Sequence, residues 1–426
     1  MDLVNRKVTY RLYPSSRQAN QMTEMLRLHQ RLYNCALEQR IDAYQRCAVS
    51  LSFSKQCADL TRLRGEMPEY ADLNAQSSQV TLKRLDLAFQ AFFRRVKGGA
   101  GPAGFPRFKA FDRYPGWGYK AHGDGWKFSP NTDFINGTLR LSGVGNLQAR
   151  GRARFVDEAK TSRDPGVPKT MEIIRKGDKW FASVTFETPI PFRKGGDVAV
   201  GLDWGTTKFM TMVTEHGGVI EVENPRLMKA ALGGLRSAQR KLSRKQKGSV
   251  NRLKAKRVLA RRHEKVAAKR EDFLHQESAR IVGMARLVAT EDLNIKNMTV
   301  AGGAHKAGLN RSILDTSPAE FFSLLRYKAE DAGIKYVEVP TRKLKPSQTC
   351  SGCGRVEKKP LSQRLHSCSA CSLELGRDVN AARVMLNFAL YASATGQELA
   401  LGVEEGRCPP MKHETPPIPE RSRKRA

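Results

Sequence analysis

The sequence predicts a multidomain protein with an α+β N-terminal half and an α/β C-terminal half. Residues 6–96 open with a short alternating stretch and continue with apolar residues at helical spacing. Residues 105–191 are divided by glycine, proline and aromatic residues into short alternating stretches, which is typical of a small β-barrel. From residue 198, apolar strand-like runs alternate with helical segments, which is typical of a mixed sheet covered by helices.

The N-terminal half is predicted to be a barrel that carries a helical insertion. Apolar and polar side chains alternate over residues 6–13, which predicts a strand. Three helices are expected next, over residues 22–44, 54–63 and 78–96. Further strands are expected over residues 138–141, 148–155, 169–175 and 179–187. We therefore expect the opening strand to complete the barrel, with the helices inserted between its strands.

The C-terminal half is predicted to contain an apolar sheet and one strongly basic helical region. Strands are expected over residues 198–203, 208–213, 218–221, 287–291 and 334–339, and helices within 225–287, 318–332 and 379–390. Residues 226–270 contain 17 Lys and Arg but one acidic residue, Glu264. Residues 409–426 hold five Pro and five Lys or Arg without an apolar period, which predicts a disordered basic tail.

The charge of the chain indicates a polyanionic partner. It has 74 Lys and Arg against 42 Asp and Glu, a formal net charge of +32. Nucleic acid or an acidic membrane surface would match that charge. No run of about 18 consecutive apolar residues occurs, and the N-terminus has no apolar signal-peptide core. We therefore expect nucleic acid as the partner, no membrane association, and a location in the cytoplasm or nucleoid.

Four cysteines near the C-terminus have the spacing of a zinc ribbon. Cys350 and Cys353 form one CxxC pair, and Cys368 and Cys371 form a second pair, with fourteen residues between the two pairs. Two such pairs bring four thiolates to one tetrahedral point, which suits a structural Zn²⁺. Four ligands leave no open position for catalysis, and a thioredoxin-like redox pair is the weaker alternative. The basic loop between the pairs either only closes the ribbon or also contacts nucleic acid.

Three carboxylates have the positions expected of Mg²⁺ ligands. Asp203 and Glu291 each end an apolar strand, and Asp378 lies at the expected N-cap of the last helix. Phosphodiester hydrolysis by two metal ions needs several carboxylates that converge from rigid elements. Each acid also has an ordinary interpretation, because Asp378 could be a simple cap, Asp203 could close a turn, and Glu291 could pair with a lysine. Asp292 is expected to face away from Glu291.

These segments resemble one family of transposon-encoded proteins. The segments that carry the resemblance are Gly201-Leu202-Asp203-Trp204-Gly205, Glu291-Asp292-Leu293-Asn294-Ile295-Lys296, Gly376-Arg377-Asp378-Val379-Asn380-Ala381-Ala382, Ser347-Gln348-Thr349-Cys350-Ser351-Gly352-Cys353-Gly354, Gly104-Phe105-Pro106-Arg107-Phe108-Lys109 and Arg11-Leu12-Tyr13-Pro14. Over residues 6–392 they resemble, in order, the motifs of the TnpB family, which is akin to the compact type V CRISPR effector nucleases. Trp204 replaces a more usual aliphatic residue.

The resemblance implies a domain order. It implies a wedge-like β-barrel with an inserted helical recognition domain, and an RNase H-like RuvC nuclease domain with an inserted zinc ribbon. We assign residues 1–13 to a wedge strand, 14–104 to the recognition domain, 105–196 to the wedge barrel, 197–345 to the RuvC domain with its first two acidic segments, 346–376 to the zinc ribbon, 377–392 to the third RuvC segment and 393–426 to a C-terminal extension.

The resemblance also implies an activity, that of an RNA-guided DNA endonuclease. Such a protein binds a structured guide RNA, reads a short motif beside a double-stranded DNA target and cuts at a single RuvC site, without a small-molecule substrate. Asp203, Glu291 and Asp378 would hold two catalytic Mg²⁺ ions, one activating water and one stabilising the leaving 3′ oxygen. Cys350, Cys353, Cys368 and Cys371 would hold one structural zinc.

Several basic and polar residues are candidates for nucleic-acid contacts. They are Gln79, Lys83, Arg107, Lys109, Arg150, Arg152 and Arg154, together with the basic stretch at 226–270. Gln79 and Lys83 lie four residues apart on one helix and could read adenine and guanine. Phe105 and Phe108 are expected in a core. A solvated charged helix is the alternative for the basic stretch, although self-repulsion makes it less favourable.

Two other functions remain open at this point. One is an RNA-guided DNA-binding regulator that does not cut, although none of the three acids is missing. The other is a guide-independent DNA-binding protein of a transposon. Loss of cleavage in Asp203→Ala, and RNA that co-purifies with the chain, would distinguish the nuclease from both.

Overall fold

The computed structural model describes residues 3–99, 103–151, 164–189, 194–360 and 362–395. The chain divides into two compact units, Met1–Phe192 and Arg193–Ala426. Arg152, Arg154 and the predicted basic tail lie outside the described residues.

In its described residues, the first unit combines four α-helices with seven strands. Its elements are β1 (Leu3–Tyr13), α1 (Ser16–Cys47), α2 (Phe53–Glu66), α3 (Pro68–Ala71), α4 (Ala75–Lys97), β2 (Gly116–Tyr119), β3 (Trp126–Pro130), β4 (Asn136–Leu141), β5 (Gly145–Arg150), β6 (Val167–Lys176) and β7 (Lys179–Pro189). Helix α1 begins with a capping box, in which Ser15 and Gln18 exchange hydrogen bonds between side chain and backbone. The predicted strand at 6–13 and the three predicted helices are confirmed.

The predicted barrel is a curled antiparallel sheet with the strand order β2-β6-β7-β1-β5-β4-β3. Strand β1 lies in its middle, where it pairs with β7 over most of its length and with β5 at its end. The helices follow β1 directly, so they are an insertion into the sheet, as expected. Strand β2 was not predicted, because all four of its residues are buried and it has no polar alternation.

One continuous apolar core joins the helices to this sheet. It contains Tyr10 of β1, Leu26 of α1, Leu85 of α4 and Trp117 of β2. His29 is fully buried within it, where its ring stacks on Trp117 at 5.6 Å between centroids. Its nitrogens face the hydroxyls of Thr81 and Ser77 at 2.9 and 3.3 Å. Burial, with a smaller effect of nearby Arg84, lowers the pKa of His29 to about 3, so the ring is neutral.

The second unit is an α/β domain that continues into a small cysteine-containing hairpin. Its elements are β8 (Val198–Trp204), β9 (Lys208–Thr214), β10 (Val219–Glu223), α5 (Leu227–Ser243), α6 (Val250–Met284), β11 (Ala285–Glu291), α7 (Ile295–Met298), α8 (Ala304–Thr316), α9 (Pro318–Asp331), β12 (Lys335–Val339), α10 (Thr341–Leu344), β13 (Leu365–Ser367), β14 (Glu374–Gly376) and α11 (Arg377–Ala394). The basic region is thus two helices, and α8 was not predicted.

The larger sheet of this unit is mixed, as expected. Its order is β10-β9-β8-β11-β12, with β11 parallel to β8 and β12 and the other pairs antiparallel. Side chains alternate between its two faces. Val200 and Leu202 belong to a core with α6 and α9, while Ala199 and Ala289 belong to a core with α11. Helix α11 therefore packs on the face opposite to the one that carries α6 and α9.

Candidate metal centres

Asp203 and Glu291 lie at the carboxyl ends of the neighbouring parallel strands β8 and β11, on the face that carries α11. Ala289 pairs with Gly201, and Thr290 pairs with Leu202, so Glu291 follows beside Asp203. Gly201 and Asp203 are two residues apart on β8, so they face the same side. The two acids are 88 residues apart in the sequence, and the parallel pairing of β8 with β11 brings them together.

Gly201 permits the close approach that brings the third acid to them. A Cβ at this position would lie 2.2 Å from the carbonyl oxygen of Ala382 and 2.9 Å from Cβ of Leu386. Helix α11 therefore packs directly against the backbone of β8. Asp378 lies one helical turn before Ala382, in the first turn of α11. Glycine at 201 is thus a packing requirement of the acidic site.

The electrostatics of Asp203 reflect this proximity. Burial raises the pKa of Asp203 well above its usual value, and the charges of Glu291 and Asp378 raise it further, while Arg377 opposes them. Burial raises the pKa of Glu291 to about 7. Both acids keep a partly exposed surface. Carboxylates in such a site need protons or bound cations to offset their mutual repulsion.

Two of the ordinary interpretations of these acids do not fit the structure. Asp378 was expected at the N-cap, but Gly376 occupies that position and no side-chain cap bond is present. The expectation was wrong by two residues, because strand β14 continues directly into the helix. Glu291 forms no ion pair with a lysine in the part of the chain that the structure describes.

A basic residue also lies at the edge of this site. Lys208 begins β9, and its ammonium lies 2.5 Å from a carboxylate oxygen of Glu221. The hydrogen bond to Glu221 raises the pKa of Lys208, with smaller contributions from the charges of Glu221 and Asp378. Sequence reasoning did not select Lys208, although its position five residues after Asp203 at the start of a strand was visible.

The four predicted cysteines form a compact cluster. Within residues 3–99, 103–151, 164–189, 194–360 and 362–395, they are the only group of three or more His, Cys, Asp or Glu residues whose ligand atoms all lie within 4.8 Å of one another. Sγ of Cys350 lies 3.6 Å from Sγ of Cys371, and Sγ of Cys353 lies 3.6 Å from Sγ of Cys368. Tetrahedral zinc with bonds of 2.3 Å gives sulfur separations of about 3.8 Å.

This donor set therefore fits zinc. The two sulfur contacts of 3.6 Å each join one CxxC pair to the other, and all four sulfurs lie within 4.8 Å of one another, which is the arrangement of one four-ligand site rather than of two separate redox pairs. Each pair lies in a loop whose cysteine backbone is hydrogen-bonded: the N–H of Cys350 donates to the carbonyl of Arg355, and that of Cys368 to Leu373. The three acids are spaced more widely than the sulfurs, since they do not meet the same 4.8 Å limit.

The residues around Asp378 bind this cysteine-containing segment. Asn380 is fully buried, and its side chain bonds to the backbone on both sides of Cys350. Arg377 donates to the carbonyl of Pro360 at 3.1 Å. Sequence reasoning missed both residues as functional candidates. The available signal was an Asn two residues after Asp378, directly before the small apolar residues Ala381 and Ala382.

The candidate nucleic-acid residues lie at several places in the first unit. Gln79 and Lys83 both lie on α4 and are half-buried. Gln79 accepts a hydrogen bond from Lys120 at 2.9 Å, and Lys83 donates to Asp86 at 2.9 Å. Both therefore have partners within the chain.

The remaining candidates are more accessible. Arg107 and Arg150 are exposed, and the guanidinium of Arg150 lies 5.0 Å from the ring of Tyr13. Lys109 is half-buried, and its backbone is bonded to Asn34.

The expectation that Phe105 and Phe108 lie in a core was wrong. Phe108 is 56% exposed, and Phe105 is 46% exposed although its ring contacts Phe89 and Phe92. Phe105 only covers the margin of the core at Phe89, and Phe108 lies at the surface, so apolar type alone did not predict burial.

Comparison with known proteins shows what the chain is related to. It is 32% identical over 415 residues to a protein of Streptomyces pristinaespiralis, covering 96% of this chain and 95% of the relative. The chain belongs to the TnpB family. A second relative, from Escherichia coli K12, is 28% identical over 95% of this chain and 96% of its own length. Both relatives carry the name "Putative RNA-guided DNA endonuclease", extended by InsQ for the second.

Family descriptions match three parts of this TnpB-family chain. "Probable transposase" matches residues 183–301, "Cas12f1-like, TNB domain" matches 319–385, and "Helix-turn-helix domain" matches 1–47. The second match includes all four cysteines. The third does not describe the local structure, because residues 3–47 form one strand and one long helix.

The fold is also that of a solved structure. The cryo-EM structure of a Cas12f1–sgRNA–target DNA complex aligns with a TM-score of 0.55 at 14% identity, covering 90% of this chain and 98% of that one. The predicted fold class, a RuvC-type multidomain fold with a ribbon carrying four cysteines, is thereby confirmed. None of the described helices combines the length and the hydropathy needed to cross a bilayer.

Proposed function

We propose that this chain is an RNA-guided DNA endonuclease that cleaves double-stranded DNA at a single acidic site. The observation that carries the proposal is the convergence of three acids where strands β8 and β11 end and helix α11 begins. These acids are Asp203, Glu291 and Asp378. Burial raises the pKa of Asp203, and the nearby charges of Glu291 and Asp378 raise it further. A site that keeps such acids together without neutralising them is suited to binding cations.

The relatives support the choice of substrate. Two proteins that match over almost their whole length are named as RNA-guided DNA endonucleases. The net charge of +32 is consistent with a partner as large as a folded RNA together with a DNA target. We therefore propose a structured guide RNA and a double-stranded target with an adjacent motif as the partners.

The acids fit Mg²⁺, which prefers carboxylate oxygens and keeps several waters. We propose that Asp203 and Asp378 hold one ion and that Glu291 shares in holding a second. Bound there, two Mg²⁺ ions would activate a water and stabilise the departing 3′ oxygen, which leaves a 5′ phosphate on the product. The spacing of the acids, wider than 4.8 Å as a group, is compatible with ligands divided between two ions.

The chain's own residues prepare this site in three ways. Asp203 and Glu291 are held by paired parallel strands, so their positions need little reordering. Gly201 keeps α11 close enough to bring Asp378 to them. Arg377 partly offsets the negative charge near Asp203.

The other assignments are proposals of the same kind. We propose zinc in the cysteine cluster as a structural ion, and we retain the domain boundaries given by the family resemblance. Gln79, Lys83, Arg107, Lys109 and Arg150 remain proposed nucleic-acid contacts, as does the basic region of α5 and α6. Contacts with phosphates predict that RNA binding falls steeply as salt is raised.

Cleavage by the purified chain tests the proposal. RNA that co-purifies with the full chain would be sequenced, and a plasmid with a matching target would be incubated with the complex and Mg²⁺. We expect linear product from the wild type and a loss of at least about 1,000-fold in Asp203→Ala, since a metal ligand is removed.

Asp292→Ala is the matched control. Asp292 adjoins Glu291, but it is exposed and lies beyond the end of β11. We expect this variant to cut at the wild-type rate. Undiminished cutting by Asp203→Ala would reject the acidic site. RNA-dependent DNA binding without any cutting by the wild type would favour the regulator, and sequence-specific DNA binding without RNA would favour the guide-independent protein.

A further inference from the structure

The segment that holds the four cysteines continues into the third acid without a linker. Strand β14 ends at Gly376, and α11 begins at Arg377, so Asp378 lies two residues beyond the hairpin. Leu365 pairs with Gly376 in that hairpin, and the N–H of Arg377 donates to the carbonyl of Arg364 at 2.8 Å. The hairpin hydrogen bonding therefore extends to the residue directly before Asp378.

Asn380 fixes the first turn of α11 to the first cysteine pair. Its Nδ2 donates to the carbonyl of Thr349 at 2.7 Å, and its Oδ1 accepts from the N–H of Ser351 at 2.9 Å. These two partners flank Cys350 in the sequence. Asn380 is 0% exposed, and Nδ2 also reaches the carbonyl of Pro346 at 3.4 Å. The position of Asn380 is thus set by the backbone around a cysteine ligand.

Asp378 and Asn380 lie on different sides of the same helical turn. Two residues correspond to about 200° around an α-helix. The helix contacts β8 through Ala382 and Leu386, which are on the side of Asp378. The first turn is therefore held by the sheet on one side and by the cysteine segment on the other. Any shift of the cysteine segment would rotate or translate Asp378.

We propose that Asn380 is a positioning residue through which the folded cysteine cluster sets the place of Asp378 relative to Asp203. The inference rests on the proposed function, because it treats Asp378 as a ligand of a divalent cation. The cysteine segment then has a role beyond closing its own loop. Its occupancy by zinc governs the affinity of a second, chemically different metal site.

Asn387 provides a matched control on the same helix. It lies seven residues after Asn380, and its Nδ2 donates to the carbonyl of Ser351 at 3.1 Å. It therefore binds the same cysteine pair but lies about two and a half turns from Asp378. A purely structural role of these bonds predicts similar effects at 380 and 387, whereas positioning predicts an effect at 380 alone.

The experiment measures Mn²⁺ binding to the full chain, freed of nucleic acid, by the decrease of the free Mn²⁺ signal in electron paramagnetic resonance. Zinc content is measured on the same samples. We expect Asn380→Ala to weaken Mn²⁺ binding about 10- to 100-fold, the usual cost of losing a residue that orients a metal ligand. Zinc content should stay at the wild-type value, and Asn387→Ala should bind Mn²⁺ within about twofold of the wild type.

Wild-type Mn²⁺ affinity in a zinc-containing Asn380→Ala protein would overturn the proposal, and so would an equal loss in Asn387→Ala. If Asn380→Ala does not fold, zinc is withdrawn from the wild type with a chelator, and Mn²⁺ binding is measured before and after zinc is restored. Reversible weakening supports the proposal, and unchanged affinity overturns it.

Asp203→Asn separates this inference from the proposed function. If that variant binds Mn²⁺ as the wild type does, the acidic metal site itself is wrong. If Asp203→Asn loses Mn²⁺ and Asn380→Ala does not, the metal site stands and only the positioning role fails.

Discussion

The two units each bury titratable groups whose pKa is shifted from its usual value, but the groups differ in their partners. In the first unit, His29 is enclosed between Thr81 and Ser77, whose hydroxyls meet both ring nitrogens. In the second unit, Asp203 and Glu291 lie near each other and near Asp378, and their repulsion is only partly offset by Arg377. The His29 ring therefore has a polar partner at each nitrogen, whereas the charges of the carboxylates are not fully compensated.

This difference is the one expected between a structural role of His29 and the metal-binding role proposed for the three acids. Neutral His29 needs nothing from solvent, because its environment already satisfies it. The carboxylates keep an unfavourable charge that only protons or cations relieve, and sites of that kind concentrate where chemistry occurs. Opposite responses to pH follow, and they test the comparison.

The largest effect is expected from acid acting on the first unit. The pKa of His29 is about 6.5 when unfolded and about 3 when folded, so stability is complete above pH 6.5 and is lost as pH falls. We expect the free energy of unfolding to drop by about 3 kcal/mol between pH 7.5 and 4. His29→Gln should show no such slope in that range.

Urea unfolding in a Trp204→Phe background measures this slope. Three of the four tryptophans, Trp117, Trp126 and Trp180, belong to the first unit and would report its unfolding by fluorescence. Equal slopes for wild type and His29→Gln would show that the ring is not held neutral in the core.

The second unit should respond in the opposite direction when no divalent metal is present. The pKa of Glu291 is raised from 4.5 to about 7, so its contribution is complete below pH 4.5 and is lost as pH rises through 7. We expect a loss of up to about 3 kcal/mol between pH 4.5 and 8. Glu291→Gln should remove this loss of stability at high pH, and Mg²⁺ should reduce the loss in the wild type.

Pulse-labelling hydrogen exchange at each urea concentration, with mass spectrometry of peptides from β8 and β11, measures this unit alone. Asp292→Asn is the control, because Asp292 is exposed and outside the strand. A wild-type unit that loses no stability on going to pH 8 would contradict the shifted pKa.

A third effect concerns the packing that assembles the acids. Gly201→Ala would place a methyl group 2.2 Å from the carbonyl oxygen of Ala382, so β8 and α11 must separate. We expect a destabilisation of about 2–3 kcal/mol, measured by the same exchange experiment. Gly233→Ala in α5, where nothing lies within 4 Å, should instead stabilise by up to about 1 kcal/mol. If the two substitutions changed the free energy of unfolding equally, α11 could move away from β8 without destabilising the unit.

The sequence was informative where a pattern is local. The strand at 6–13, the helix that contains Met22 and Leu37, and the two CxxC pairs have a period or spacing that one stretch of chain displays. It was less informative where tertiary contacts decide. Strand β2 has no alternation because both of its faces are buried, and the exposure of Phe108 depends on the path of a glycine-containing loop.

The candidate site follows the same rule. The three acids were selected because each ends or begins a regular element, but the register that joins Glu291 to Asp203 is a property of the folded sheet. Asn380 was passed over because its partners, Thr349 and Ser351, are about thirty residues away in the sequence. Long-range hydrogen bonds of this kind leave no local pattern to read.

The smallest effect concerns two Asp→Asn substitutions in the second unit. We expect them to change the free energy of unfolding in opposite directions. Asp315 accepts bonds from the N–H of Met228, at the start of α5, and from Arg270 at 3.0 Å. Asp315→Asn keeps the shape but leaves the largely buried Arg270 without its counter-charge, so we expect a loss of about 1–2 kcal/mol. Asp203→Asn removes a repelled charge, so without metal it should be neutral or stabilise by about 1 kcal/mol. Both are measured by urea unfolding at pH 8 in the presence of a chelator. If Asp203→Asn destabilises as much as Asp315→Asn, then Asp203 is a partnered structural acid like Asp315, and the contrast between satisfied and unsatisfied buried groups does not mark the acidic site.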